Sequence, residues 1–227
     1  MMTSAASRER MSGKRKGAGR KPKGKTAGVG YKPRHGVDAR HPVLVTMKLC
    51  DKLPDMRSVA AAEVIIDRMR AAKERDARRE QTLRVVHLAI LGNHLHLIVE
   101  ADEQDVLSRC VGGLAIRIAR GLNKHWGRKG KVWKERFHSR ALTCPRMVRN
   151  AMVYVFRNAK KHGIVQGETL DGLSTAPQFL EAHGNWRRPQ GSRILDLIEQ
   201  AVCSPLSWFL RAGWRRAGPI TGSHEYC

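Results

Sequence analysis

A chain of 227 residues, 41% of them hydrophobic, can build one good core with appendages or two small domains. Forty-three Lys and Arg against twenty acidic residues give a formal charge of +23 and a pI near 10.8, so a polyanion is the default partner. No apolar run approaches the roughly 20 residues of a spanning helix and no secretory signal opens the chain, which sets a membrane partner aside and suits a cytoplasmic, nucleoid-associated protein. Five widely spaced cysteines without a Cys-x-x-Cys pair read as reduced thiols rather than disulfides or a zinc knuckle.

The first 42 residues hold twelve Lys or Arg and two acids among many Gly, Ser and Pro. Such a segment cannot offset its ordering entropy, and a disordered basic arm is expected over residues 1–41. Within it, Gly17-Ala18-Gly19-Arg20-Lys21-Pro22-Lys23-Gly24 reads either as an arm laid along a nucleic-acid backbone or as a solvated polycation adding salt-sensitive affinity.

Order is expected from Pro42. Val43–Leu49 is rich in β-branched residues and reads as a strand. Ser58 can cap a helix to about Arg78 whose stripe is Val59, Ala62, Ile66 and Met69. Leu83–Leu91 is a second strand, in which His87 reads as a satisfied sheet-face residue. Gly92-Asn93 then makes a two-residue hairpin turn into Leu91–Glu100. A helix over about Asp105–Trp126 buries Leu107, Val111, Leu114, Ile118 and Leu122, leaving Arg117, Arg120 and Lys124 on another face as candidate nucleic-acid contacts; Gly112-Gly113 inside it suggests close packing on the sheet. Lys131–Leu142 reads as extended chain or a hairpin, with Trp133 and Phe137 either core aromatics or base-stacking ones. Thr143-Cys144-Pro145 starts a helix that runs to about His162 and stops at Gly163. A Gly, Ser and Pro loop follows, then a helix at Ser192–Val202 and a basic aromatic segment, Pro205–Arg216.

This order of elements predicts an α+β ferredoxin-like sandwich, an antiparallel sheet with helices packed on one face, over residues 42–165, and a helical, basic aromatic C-terminal extension over 166–227. Strand alternation puts His94, His96 and Ile98 on one face and Leu95, Leu97 and Val99 on the other. The two imidazoles are then about 6–7 Å apart at the backbone, close enough to share a metal ion, and equally able to be two hydrogen-bonded histidines. Tyr154 and Asn158 are four residues apart and so share one face of the late helix, which in this arrangement can lie near the His-bearing strand. Arg157, Lys160 and Lys161 on that helix, with Arg136 and Arg140, are candidates to hold phosphate, and His138 is a candidate for proton handling.

His94-Leu95-His96 after Gly92-Asn93 resembles the His-hydrophobic-His motif of single-strand nucleases. Tyr154-Val155-Phe156-Arg157-Asn158-Ala159-Lys160-Lys161-His162-Gly163 resembles the nucleophile helix of single-tyrosine transposases, nearest the REP-associated tyrosine transposases. The resemblance spans about Pro42 to Val165. It implies metal-dependent cleavage and strand transfer on single-stranded DNA beside a hairpin, with Tyr154 forming a 5′-phosphotyrosine link. It further implies that His94, His96 and Asn158 hold Mg²⁺ or Mn²⁺, and that the protein acts as a monomer or as a homodimer with exchanged tyrosine helices. One departure is Asn158-Ala159 where the family commonly has Asn-Pro. Two other readings stand beside this one: a non-catalytic module binding DNA or RNA hairpins, and a metal-independent RNA nuclease using His87 or His138 as acid and base.

Overall fold

The computed structural model describes residues 38–78, 83–167 and 169–220. The expected basic arm lies outside the described residues as far as residue 37. Four strands form one antiparallel sheet: β1 (Val43–Lys48), β2 (Arg84–Ile90), β3 (His94–Glu100) and β4 (His138–Ala141), in the order β2-β3-β1-β4. Helix α1 (Val59–Arg78) joins β1 to β2, and α2 (Gln104–His125) joins β3 to β4, giving the ferredoxin-like order. Leu91 N–H donates to His94 O across Gly92-Asn93, so β2 and β3 form the hairpin that the turn residues prescribe.

The apolar alternation of β1 and β3 decides which layer goes where. Val43, Val45 and Met47 stand opposite Val99, Leu97 and Leu95, and these six buried side chains meet the stripes of α1 and α2. Burial of each such side chain contributes about 1.5–3 kcal/mol. The α2 stripe is buried as expected, whereas Val59 is exposed at the first residue of α1, and Ala61, Ile65 and Ala72 complete that stripe instead. Close packing of α1 on α2 occurs at Gly121, where a Cβ would stand 2.8 Å from Val64; Gly112 and Gly113 face no such neighbour.

The expected layer on one face is accompanied by a second on the other. Helix α3 (Pro145–Lys161) lies across the face that carries Val86, Ala89 and Ile98, its buried stripe Val148, Ala151, Met152, Val155, Phe156 and Ala159 supplying the contact. Trp133 belongs to the core: its indole N–H donates to Ala115 O. Only His138–Ala141 of the extended segment is a regular strand, with Trp133 making a single bridge to Leu49.

The region after Gly163 folds onto both layers. Asp171 and Arg57 form a bidentate pair, and Leu173 O and Thr175 N–H bond Ile90 and Leu88, covering the outer edge of β2. A helix hidden in the Gly, Ser and Pro loop, α4 (Ala176–Ala182), packs Phe179 and Leu180 beside α3. Helix α5 (Arg193–Ala201) packs on α1. A one-turn helix α6 (Trp208–Arg211) and a 3-10 turn (Gly213–Ala217) close the α3 side, where Glu100 accepts the backbone N–H groups of Leu206 and Ser207.

His87 is buried beside Phe156 and Phe179, its Nδ1 3.3 Å from Thr175 Oγ1. Burial, with the nearby charge of His183 behind it, pushes its pKa down to about 3. Between about pH 6.5 and 3 the unfolded chain binds a proton here that the folded one refuses, so stability falls as pH falls through that window, by up to about 1.4 kcal/mol per pH unit. Thermal melts between pH 7 and 4 are expected to show His87→Leu flattening this acid limb; an unchanged slope would show that His87 does not contribute to it.

Candidate active site

Leu44, Thr46 and Lys48 pair with Ile98, His96 and His94, so β1 sets a hydroxyl and an ammonium beside the two imidazoles. The rings of His94 and His96 lie parallel, 4° apart in tilt with centroids 5.8 Å apart. Tyr154, 38% exposed in the middle of α3, meets His96 edge-on, and its hydroxyl is 3.4 Å from His96 Nε2. The helix and the His-bearing strand therefore bring the phenol and the imidazoles together within a single chain.

For His94 the hydrogen bond chooses the tautomer. Asn93 Oδ1 accepts from His94 Nδ1–H at 2.6 Å, which leaves the lone pair of His94 on Nε2. His96 has a hydroxyl at each ring nitrogen, Thr46 Oγ1 3.0 Å from Nδ1 and Tyr154 Oη 3.4 Å from Nε2, and hydroxyls at both ends serve either tautomer. Burial pushes His96 down to about 4, with the charges of His94 and His162 adding to the effect. His94 is lowered by burial, then by Lys48 and His162. At neutral pH both rings are thus neutral, the form in which imidazole binds a metal.

Asn158 lies one turn beyond Tyr154 and is 1% exposed. Neither Oδ1 nor Nδ2 has a hydrogen-bond partner among the described residues, a costly state for a buried amide. Among the described residues no three or more His, Cys, Asp and Glu converge. The donor set offered here is instead two neutral imidazoles and an unclaimed carboxamide, and it fits a divalent cation of hard or borderline character.

Arg157 and Lys160, half-buried, and Lys161, exposed, are on α3 with the tyrosine. Arg140 pairs with Leu44 and projects on the same sheet face, and exposed Arg136 lies just before β4. Arg117, Arg120 and Lys124 are on α2, in the opposite layer, and are not brought to the histidines. His138 stands on the row His96–Thr46, two strand spacings from His96 or about 10 Å, and its Nε2 is held 2.9 Å from Glu135. His87 is buried and bonded to Thr175, which removes it as an acid or base for RNA. Thr46, Lys48 and His162 were not distinguishable as neighbours of the pair in the sequence; polar alternation along β1 was the available signal, but it does not give the register with β3.

No protein-family model matches the chain, and no curated protein matches it. Among solved structures, a REP-associated tyrosine transposase bound to a REP hairpin superposes with a TM-score of 0.54 at 19% identity, over 70% of this chain and 89% of that one. A protein from Deinococcus radiodurans R1, provisionally described as a transposase, covers 61% of this chain and 98% of its own at 16% identity, but with a TM-score of 0.37 that carries no weight. At such an identity the likeness is one of architecture alone. The chain has the fold of a REP-associated tyrosine transposase.

Proposed function

We propose that this chain is a transposase-type enzyme that cleaves and rejoins single-stranded DNA beside a hairpin, or a host-adapted relative of one. The observation that carries the reading is the Tyr154 hydroxyl set against His96 Nε2, with the His94 ring stacked behind. Tyr154 Oη attacks the phosphodiester, the P–O3′ bond breaks, the phenol proton is given up, and the departing 3′ oxygen takes one proton. The products are a 5′-phosphotyrosine and a free 3′-hydroxyl. Attack by that hydroxyl reverses the sequence, so no outside energy source is required.

His94 and His96, through Nε2, and Asn158, through Oδ1, are the residues that would hold Mg²⁺ or Mn²⁺. When bound, the ion supplies Lewis-acid polarisation of the phosphate and a template for the attacking oxygen. Thr46 and Asn93 fix the two ring orientations. Lys48, beside His94, and Arg157, Lys160 and Lys161 on α3 place positive charge where a phosphate and a phenolate carry negative charge. Arg136 and Arg140 extend that charge toward the incoming strand, whereas Arg117, Arg120 and Lys124 reach DNA only if it wraps to the other layer. Because Tyr154 faces the histidines of its own chain, one copy suffices, and exchange of helices is not required.

The test is incubation with an end-labelled DNA hairpin bearing a single-stranded flank. A protein–DNA adduct that survives denaturation is expected with Mn²⁺ and not with EDTA. Tight binding without an adduct in any divalent metal would leave only a hairpin-binding module, and RNA cleavage in EDTA would move the chemistry elsewhere.

A further inference from the structure

A second feature on the α3 side is anchored at the Glu100 end of β3, beyond the histidines. Trp208 is 47% exposed and Leu206, two residues before it, 63% exposed. The ring is nevertheless held firmly. It lies against Gly213, where a Cβ would stand 2.6 Å from the indole, and Phe209 meets it edge-on with centroids 5.3 Å apart. Ser207 Oγ accepts from Leu210 N–H to cap the turn, and Glu100 ties down the backbone of Leu206 and Ser207. Exposed Arg216 places its guanidinium over the indole, 4.9 Å from the ring centroid.

We infer that Trp208 and Arg216 form a stacking platform for one unpaired base of a bound nucleic acid. Charge decides the kind of partner. Residues 205–219 contain three arginines and no acid, so the rim of the patch attracts a polyanion while its centre offers an indole and a planar guanidinium to a base. A ring already fixed by Gly213, Phe209 and the Glu100 anchor loses little freedom on binding. The platform is also in register with the candidate active site. Tyr154 meets His96, and Glu100 ends β3 four residues on, a span of about 13 Å at roughly 3.3 Å per residue. A stacked strand advances about 3.4 Å per nucleotide, so the base lies about four steps from the phosphate at Tyr154. That register rests on the strand-transfer reading; the chemistry of the platform does not.

The test uses the full chain and two DNA hairpins of about six base pairs, one closed by a thymidine loop and one by the same loop without bases. The wild type is expected to prefer the thymidine loop by about 5-fold to 100-fold, the range for one stacked base. Trp208→Ala should erase the preference and Trp208→Phe should keep most of it. Arg216→Lys, a surface change that leaves the fold alone, should reduce the preference while preserving the salt dependence of binding. Adduct formation on a single strand too short to reach the platform should be the same in Trp208→Ala as in the wild type. An equal preference in wild type and Trp208→Ala overturns the platform. So does a dimer in sedimentation that becomes monomeric with Trp208→Ala, which would make the patch a self-interface. A loop preference that depends on Trp208, in a protein that forms no adduct, would uphold the platform and remove the strand-transfer reading alone.

Discussion

Tyr154→Phe is expected to abolish the covalent adduct and to lower DNA cleavage at least about a thousandfold, while hairpin affinity stays within about threefold. The substitution removes one oxygen and keeps the ring, whose edge-on contact with His96 at 5.1 Å is a packing contact and not a polar one. Affinity is carried by the +23 charge and by phosphate contacts spread over the surface, to which one hydroxyl adds little. Chemistry is different: without Oη there is no atom to bond phosphorus, and loss of a nucleophile removes the reaction rather than slowing it. Alanine at His94 or His96 should likewise suppress cleavage without suppressing binding. The chain has two further tyrosines, Tyr31 and Tyr226, both outside the described residues. Mass mapping of the adduct separates the three, and an adduct that persists in Tyr154→Phe on another tyrosine would assign the nucleophile to that residue.

The strands, the long helices and the hairpin were readable because each rests on local rules: the alternation of Val43–Lys48, the apolar period of α2, the Gly92-Asn93 turn. The meeting of Tyr154 with His96 was readable only as an expectation, since it depends on α3 crossing the face opposite α1 and α2. That crossing follows from a second apolar surface, Val86, Ala89 and Ile98, which in the sequence merely makes β2 and β3 look apolar on both sides. Helix α4 escaped notice because seven residues between Gly-rich turns show too little period, and its formation depends on Phe179 and Leu180 finding the α3 layer. The positions of Thr46 and Lys48 depend on cross-strand register, which no local pattern encodes. Gly121, rather than the more conspicuous Gly112-Gly113, meets α1 because helix contacts are set by which turn faces Val64 and Arg68.

Asn158→Leu is expected to stabilise the metal-free protein and to destroy its response to metal. In the wild type a carboxamide is buried with both polar atoms unpartnered among the described residues, a state that costs about 1–3 kcal/mol relative to a paired or apolar group. Leucine has the same four-atom branched skeleton, with bulkier ends and nothing to satisfy, and the surroundings on α3, Val155 and Ala159 among them, are apolar. For a domain of this size each kcal/mol raises Tm by about 2–4 °C. If the amide oxygen is a ligand, Mn²⁺ should raise the melting temperature of the wild type, because a ligand bound only by the folded state adds stability. The same addition should move Asn158→Leu little, and its cleavage should fall with that of the His94 and His96 variants. Asn158→Asp separates the two effects: an unpartnered buried carboxylate lowers stability without metal, yet it offers a harder oxygen to Mn²⁺, so the metal-induced rise should exceed that of the wild type. A leucine variant that melts below the wild type and keeps its Mn²⁺ shift would place the third ligand elsewhere. A buried amide that lowers stability and yet is needed for the metal response is the behaviour expected of a ligand held ready for its ion.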